Sequence, residues 1–156
     1  GGNQQGVVGV NWQVSILPVK FLSASGSGRL SDAVAAVRYS VQMGAKVISA
    51  SWGGGSYAEI LKTAIEEARD AGVLFIAAAG NDGTDNDSQP HFPSNYAVSN
   101  IVAVGAHDNR GGRAHFSNWG AQSVHLFAPG VNIWSTLKNA RYGVMSGTSM
   151  ATPHVA

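Results

Sequence analysis

A serine near the end of the chain stands in a setting that favours a nucleophile. Ser149 lies among small residues in the decapeptide GTSMATPHVA (147–156), a pattern typical of the beginning of a helix. The first N–H groups of a helix have no partner within it and carry partial positive charge, so negative charge that develops beside Ser149 would be stabilised there. Ser149 is therefore the candidate nucleophile, provided that a base activates its hydroxyl.

No histidine of the chain stands in an obvious position to be that base. His154 follows Ser149 by five residues, which places it about 140° away around a helix of 3.6 residues per turn, on a different face. The other four histidines fall in loops or short strands and are predicted to be surface or turn residues: His91, His107, His115 and His125.

The elements that must position Ser149 begin with two apolar segments. Residues 7–12 and 14–22 are rich in apolar and β-branched residues, which predicts two strands. A Gly/Ser loop follows, and Ser31 is predicted to cap a helix over 32–43, whose valines share one face. This is one strand–helix unit.

A second unit of the same kind follows. Residues 46–51 predict a short strand, and Ser56 with Glu59 predicts a capping box for a helix that Gly72 ends. Residues 73–79 form a continuous apolar run, as expected of a strand covered on both sides. The β-α-β-α-β order predicts an α/β fold with a parallel sheet and helices on both of its faces.

The residue pattern changes in the last part of the chain, where short segments replace the alternating strands and helices. A polar loop at 80–96 precedes a buried-type strand at 101–106. Short strands separated by Gly, Asn and Pro are then predicted within AHFSNWG (114–120), VHLFAPG (124–130), NIWSTL (132–137) and YGVMSG (142–147). Neither a repeat nor a domain boundary is apparent, so we expect one domain.

Composition excludes several classes of protein. The formal charge is +1, from ten basic and nine acidic residues dispersed along the chain, which gives no electrostatic footprint for nucleic acid or an anionic membrane. No apolar run approaches the roughly 20 residues of a transmembrane helix. Zero cysteines exclude disulfides and cysteine catalysis. No GK[ST] loop occurs, which argues against a nucleotide-binding domain.

Three motifs in order give the chain a family resemblance. GTSMATPHVA (147–156) resembles the signature around the nucleophilic serine of the subtilisin-like serine proteases, the subtilases. AAAGNDG (77–83) resembles their oxyanion-hole loop, and SASWGGG (49–55) resembles their substrate-binding strand. The likeness covers essentially all 156 residues and implies the three-layer subtilisin-like fold.

The resemblance implies roles for two residues in acyl transfer. Ser149 matches the nucleophile, and its backbone N–H at the helix start matches one oxyanion donor. Asn81 matches the side-chain donor, whose carboxamide N–H is worth about 3–4 kcal/mol of barrier.

The resemblance also implies a groove that binds an extended peptide by strand addition, which favours broad sequence tolerance. One edge is Ser51, Trp52 and Gly53, with core packing as an equal alternative for Trp52, and the opposite edge is Gly26, Ser27 and Gly28. The pocket for the residue before the cut bond would be walled by Ala78, Ala79 and Gly80, and Leu30 would line a pocket further along.

Two motifs of the family do not occur in the sequence. The family order is Asp, His, Ser, and neither the aspartate motif nor the histidine motif is found. The first twelve residues resemble the segment that follows the catalytic-histidine helix, so residues 1–156 are interpreted as a partial peptidase domain, truncated at both ends and inactive alone. The alternative is a peptide-binding pseudoprotease without a base.

The resemblance suggests calcium as the cofactor and peptides as partners. Asn3 with the carbonyls near Gln5 and Val7 resembles part of the family's calcium loop, although calcium requires six or more oxygen ligands and the rest would come from elsewhere. No metal ligand set is therefore assigned within the chain. We expect a monomer that acts on extended peptide or protein substrates outside the cell, without nucleic-acid or membrane partners.

Overall fold

The computed structural model of the chain describes residues 5–156. Its elements, in chain order, are α1 (Leu30–Gln42), β1 (Val47–Ala50), α2 (Glu59–Asp70), β2 (Leu74–Ala78), β3 (Ile101–His107), β4 (Leu126–Pro129), β5 (Ile133–Leu137), β6 (Arg141–Met145) and α3 (Thr148–Val155). None of the helices in this part of the chain combines the length and apolar character needed to cross a membrane.

The first four strands form one parallel sheet in the order β1-β2-β3-β4. Val47 pairs with Leu74 at the start of the β1–β2 ladder, and Val104 pairs with Leu126 at the start of the β3–β4 ladder. Because every strand runs the same way, their carboxyl ends lie along one edge of the sheet. The predicted α/β class is confirmed.

Alternate residues of β2 face opposite layers, as the period of a strand requires. Phe75 and Ala77 are fully buried in the cluster formed with α1 and α2, whereas Ile76 belongs to the cluster that contains Ala151 of α3. Burial of Phe75 contributes about 1.5–3 kcal/mol to the stability of this layer. The prediction of helices on both faces of the sheet is confirmed.

The two strands predicted at 7–12 and 14–22 do not form. Residues 5–29 contain no strand, and the side chains of Val10 and Ile16 are 70% and 82% exposed. A β-branched sequence favours extended backbone but supplies no hydrogen-bond ladder, which needs a second strand. Among residues 5–156, no such partner pairs with this segment.

The two predicted helix caps are also wrong. Helix α1 begins one residue before Ser31, with Arg29 in the capping position and no side-chain cap. Helix α2 begins at Glu59 itself, and its capping residue is Ala58, so the Ser56–Glu59 box is not formed. The phenol of Tyr96 takes the place of a cap, since it accepts from the Ala58 N–H and donates to the Ala58 carbonyl, each at 3.1 Å.

The last third of the chain has fewer strands than predicted. Segments 124–130, 132–137 and 142–147 contain β4, β5 and β6, and the last two pair as an antiparallel hairpin. Residues 114–120 contain only an isolated bridge between Trp119 and Asp85. This bridge ties them to the loop after β2.

Candidate active site

Ser149 is the second residue of α3, at the edge where the parallel strands end. The Gly147 N–H donates to the Gly130 carbonyl at 2.8 Å, just beyond the end of β4. The Gly147 carbonyl accepts from Met150 at 3.0 Å and from Ala151 at 3.3 Å, which closes the first turn of the helix. The expected position of Ser149 at a helix start is confirmed.

Ser149 and Ser51 hold each other by two reciprocal hydrogen bonds. The Ser149 hydroxyl donates to the Ser51 carbonyl at 3.1 Å, and the Ser51 hydroxyl donates to the Ser149 carbonyl at 2.9 Å. A peptide carbonyl is too weakly basic to take the proton, so this contact positions the hydroxyl without activating it. The Ser149 backbone N–H takes part in none of the hydrogen bonds among residues 5–156.

The side chain of Asn81 is fixed through its oxygen. Asn81 Oδ1 accepts from the Thr148 backbone N–H at 2.8 Å and from the Thr148 hydroxyl at 2.9 Å. Asn81 Nδ2 has no hydrogen-bond partner in the described part of the chain. Asn81 and Ser149 line one cleft with Gly53, so the carboxamide does not point into the sheet. The geometry leaves two N–H donors available beside Ser149, and their role stays a prediction.

Thr148 was missed in the sequence as a site residue. Its side chain is fully buried, and its carbonyl accepts from the Thr152 hydroxyl at 2.8 Å. A threonine beside a serine in a turn carries no distinctive signal. The contact with Asn81 joins residues 67 positions apart, which only the folded chain brings together.

A buried amide network supports the loop that carries Asn81. Asn118 Oδ1 accepts from the Asp82 N–H at 2.8 Å, and Asn118 Nδ2 donates to Asn86 Oδ1 at 3.0 Å. A Cβ atom at Gly80, where φ is +109°, would lie 2.4 Å from Asn118 Nδ2. Gly80 is thus required both by its backbone angle and by this close approach.

The predicted groove residues lie around one cleft of about 760 Å³. Eight of the nine line it, together with Leu30, Asn81 and Ser149: Gly26, Ser27, Gly28, Ser51, Trp52, Gly53, Ala78 and Gly80. Ala79 is the exception and needs correction. Ala79 is fully buried, and its carbonyl accepts from Asn86 Nδ2 at 2.8 Å. It does not line the cleft, although its neighbours Ala78 and Gly80 do.

The indole ring of Trp52 packs on the core. It meets the rings of Phe21 and Phe75 edge to face, with centroids 5.1 and 6.4 Å apart. The core-packing alternative for Trp52 is therefore confirmed. The residue also lines the cleft, and its role in substrate binding stays a prediction.

None of the histidines hydrogen-bonds to Ser149 within residues 5–156. His154 Nδ1 pairs with the Met150 carbonyl of its own helix at 2.8 Å. His125 Nδ1 accepts from the Ala103 N–H at 2.8 Å, and His107 Nδ1 contacts the Asp108 carbonyl at 2.6 Å. His115 stacks edge to face on Phe116. Within the described residues, the Ser149 hydroxyl therefore has no hydrogen bond to an imidazole, and the absence of a base stays a prediction.

His91 begins a turn, since its carbonyl accepts from the Asn95 N–H at 2.8 Å, but it is not a surface residue. It is half-buried and lines the cleft that contains Ser149. Burial lowers the pKa of His91, and the nearby carboxylate of Asp82 opposes this effect only in part. A loop sequence gives no indication of this position, because the ring is placed by contacts with Gly53 and Gly80.

The lowered pKa of His91 predicts a pH dependence of stability. The unfolded chain binds a proton at His91 more tightly than the folded chain does. The stabilising contribution of neutral His91 is therefore fully present above about pH 6.5 and is lost as pH falls towards the folded pKa. We expect the free energy of unfolding to decrease by at most about 1.4 kcal/mol per pH unit from this group. Denaturant titrations on either side of about pH 6.5 measure it.

A His91→Gln variant should show a weaker decrease than the wild type, whereas His115→Gln, at an exposed position, should follow the wild type. Equal slopes for wild type and His91→Gln would contradict the prediction.

The predicted calcium loop is only partly represented among the described residues. Asn3 lies outside them, and Gln5 and Val7 lie in an exposed segment. Within residues 5–156, no three His, Cys, Asp or Glu side chains are grouped closely enough to hold a metal ion. Two main-chain carbonyls fall short of the six to eight oxygens that calcium takes.

The chain is similar to known proteins along its whole length. Residues 1–156 match the profile of the Subtilase family. Subtilisin DY of Bacillus licheniformis is 41% identical over 155 residues, which cover 99% of this chain and 56% of that protein. Subtilisin Savinase of Lederbergia lenta is 42% identical over 154 residues, which cover 99% of this chain and 55% of that protein. The chain spans about half the length of these relatives.

Solved structures agree with this similarity. A cold-adapted subtilisin-like serine proteinase superposes with a TM-score of 0.78 at 40% identity, over 87% of this chain and 48% of that one. The prenylagaramide maturation protease PagA superposes with a TM-score of 0.74 at 35% identity, over 85% of this chain and 48% of that one. The sequence and the fold are therefore both similar to those of subtilisin-like proteins.

Proposed function

The chain belongs to the subtilase family, and from this premise we propose that the protein is a serine endopeptidase with Ser149 as its nucleophile. The observation that carries the proposal is the convergence of Ser149 and Asn81 on one cleft, with the Asn81 oxygen held by Thr148. This arrangement leaves the Asn81 amide nitrogen and the Ser149 N–H available to a substrate oxygen.

The reaction follows from the chemistry of these groups. The Ser149 oxygen attacks the carbonyl carbon of the scissile bond while its proton passes to a base. Asn81 Nδ2 and the Ser149 N–H donate to the oxyanion of the tetrahedral intermediate. The intermediate collapses when the amine leaves with the proton from the base, and water then releases the acyl group from Ser149 by the same steps in reverse.

We propose that the base and its orienting carboxylate come from a part of the protein outside these 156 residues. The Ser149 hydroxyl donates to the Ser51 carbonyl, and no described histidine contacts it. To reach an imidazole, the hydroxyl has only to leave one acceptor, which is not itself a base. In this proposal residues 1–156 are part of a peptidase domain.

The substrate in this proposal is an extended peptide. Segments 26–28 and 51–53 line the same cleft, and their three glycines permit close approach of a backbone. Hydrogen bonds to main-chain atoms would hold the substrate without selecting most of its side chains. We propose that the protein is a monomer and acts outside the cell. If calcium binds, it would need ligands beyond the carbonyls near Gln5 and Val7.

A peptide-binding pseudoprotease is the alternative, favoured by the hydrogen bond from Ser149 to a non-basic carbonyl. Such a protein would use the same groove and would not form an acyl-enzyme.

Labelling with a fluorophosphonate separates the two functions, because phosphonylation requires an activated serine. We expect the 156-residue chain alone to remain unlabelled and to hydrolyse no peptide above background. The full-length natural protein is expected to be labelled at Ser149, identified by mass spectrometry of the modified peptide. An unlabelled full-length protein that still binds peptides would favour the pseudoprotease, and strong labelling of the isolated chain would show that a base lies within it.

A further inference from the structure

The imidazole ring of His91 fills the space between two backbone segments of the cleft. A Cβ atom at Gly53 would lie 2.3 Å from His91 Cε1 and 2.8 Å from Nε2. A Cβ atom at Gly80 would lie 2.9 Å from His91 Cδ2. The outer edge of the ring therefore packs against both glycines, one from each wall.

The hydrogen bonds of His91 define which ring nitrogen is available. The Ser94 hydroxyl donates its proton to the His91 carbonyl at 2.8 Å. The same oxygen lies 3.1 Å from His91 Nδ1, and while its proton is directed to the carbonyl it accepts from an Nδ1–H group. Neutral His91 is thus protonated at Nδ1, and Nε2 keeps its lone pair with no partner in the described chain. The backbone N–H of His91 donates to Asn95 Oδ1 at 3.1 Å, which holds the main chain of His91 in place.

The position of the ring relates it to one residue of the substrate. In the proposed function, Asn81 Nδ2 binds the carbonyl oxygen of the scissile bond, and that carbonyl belongs to the residue on the amino-terminal side of the bond. The side chain of this substrate residue must therefore lie close to Asn81, beside Gly80 and Ala78, which line the cleft. His91 lies between this wall and Gly53, where a long side chain would otherwise extend.

We propose that His91 is a specificity-determining residue, which restricts the position before the scissile bond to small neutral side chains and favours serine among them. The ring occupies the depth that an aromatic or long aliphatic side chain requires. A serine hydroxyl can donate to Nε2, whereas an acidic side chain would face that lone pair and the charge of Asp82, which also lines the cleft. The proposal rests on the proposed peptidase function.

The test measures kcat/KM of the full-length protein on peptides that differ only before the scissile bond, with Ala, Ser, Leu, Phe or Glu there. The wild type should prefer Ser and Ala over Phe and Glu by about tenfold or more, the range that pocket contacts of this kind provide. In His91→Ala, the opened pocket should raise the Phe/Ala ratio by about tenfold or more.

Two further variants distinguish the effect of ring size from that of the hydrogen bond to Nε2, and both from a nonspecific effect of mutation. His91→Phe keeps a ring in the pocket without an acceptor, so Phe should remain excluded while the Ser/Ala ratio falls. His115→Ala removes an exposed histidine and should leave the wild-type profile unchanged.

The outcomes distinguish this proposal from the function on which it rests. A wild type that cleaves equally well after Ala, Phe and Glu would overturn the role of His91, even if no variant folds. An unchanged profile in a folded His91→Ala protein would do the same. Absence of hydrolysis of every peptide, together with no fluorophosphonate label on Ser149, would overturn the peptidase function itself and this proposal with it.

Discussion

Replacement of Ser149 by alanine is expected to lower kcat of the full-length protein by about a millionfold, the size known from removal of the nucleophile in a subtilisin of the same family. The loss is large because no acyl-enzyme can form, and only binding and the oxyanion donors remain. Peptide affinity should stay close to that of the wild type, since the Ser149 N–H and the groove are retained. Steady-state hydrolysis and equilibrium binding measure the two effects.

Ser135→Ala is a matched control, because Ser135 is an exposed serine of β5 and should retain full activity. Thermal unfolding checks the fold of Ser149→Ala, which loses one hydrogen bond to Ser51 and with it about 1 kcal/mol or less. If Ser149→Ala kept more than about a thousandth of the wild-type kcat, far above the roughly one-millionth expected without the nucleophile, another nucleophile would have to be sought.

Replacement of Asn81 by aspartate is expected to lower kcat at least about 100- to 1,000-fold, with little change in KM. The magnitude is that of removing such a donor in subtilisin, a member of this family. Aspartate keeps an oxygen for the two donors of Thr148, at 2.8 and 2.9 Å in the wild type, so the loop should stay in place. It provides no N–H, however, and its charge opposes the oxyanion. Single-turnover rates at saturating substrate measure the effect on the chemical step.

Asn139→Asp makes the same change of amide to carboxylate at an exposed turn, where φ is +64°. Because aspartate tolerates this backbone region, activity should be unchanged. A second variant, Asn81→Ala, should lose comparable activity and also some stability, as the Thr148 N–H would lose its acceptor. Activity of Asn81→Asp within about threefold of the wild type would mean that the oxyanion is stabilised elsewhere.

The sequence by itself determined the types of most elements and two residues of the site. Periodic apolar residues predicted α1 and α2, and the continuous apolar run at 73–79 predicted the buried strand β2. Such patterns are reliable because a helix or a strand repeats its burial over short distances along the chain. Ser149 and Asn81 were found because each stands in a short motif that resembles a family signature.

Other features were decided only by the tertiary structure, because they depend on contacts between distant residues. The segment 14–22 has the composition of a strand but has no paired strand within residues 5–156. The caps of α1 and α2 depend on where the chain turns, and a tyrosine from a distant loop took the place of the predicted serine at α2.

The same reason explains the site. Ser51 and Ser149 are 98 positions apart, and Asn81 and Thr148 are 67 apart, yet each pair is in contact. Ala79 is fully buried outside the cleft, and its carbonyl accepts from the side chain of Asn86. His91 enters the cleft because glycines on two separate segments leave room for its ring. The sequence thus predicted Ser149 and Asn81 as site residues, whereas the folded chain alone determined which atoms hold the Asn81 side chain and which side chain lies in the cleft beside Gly80.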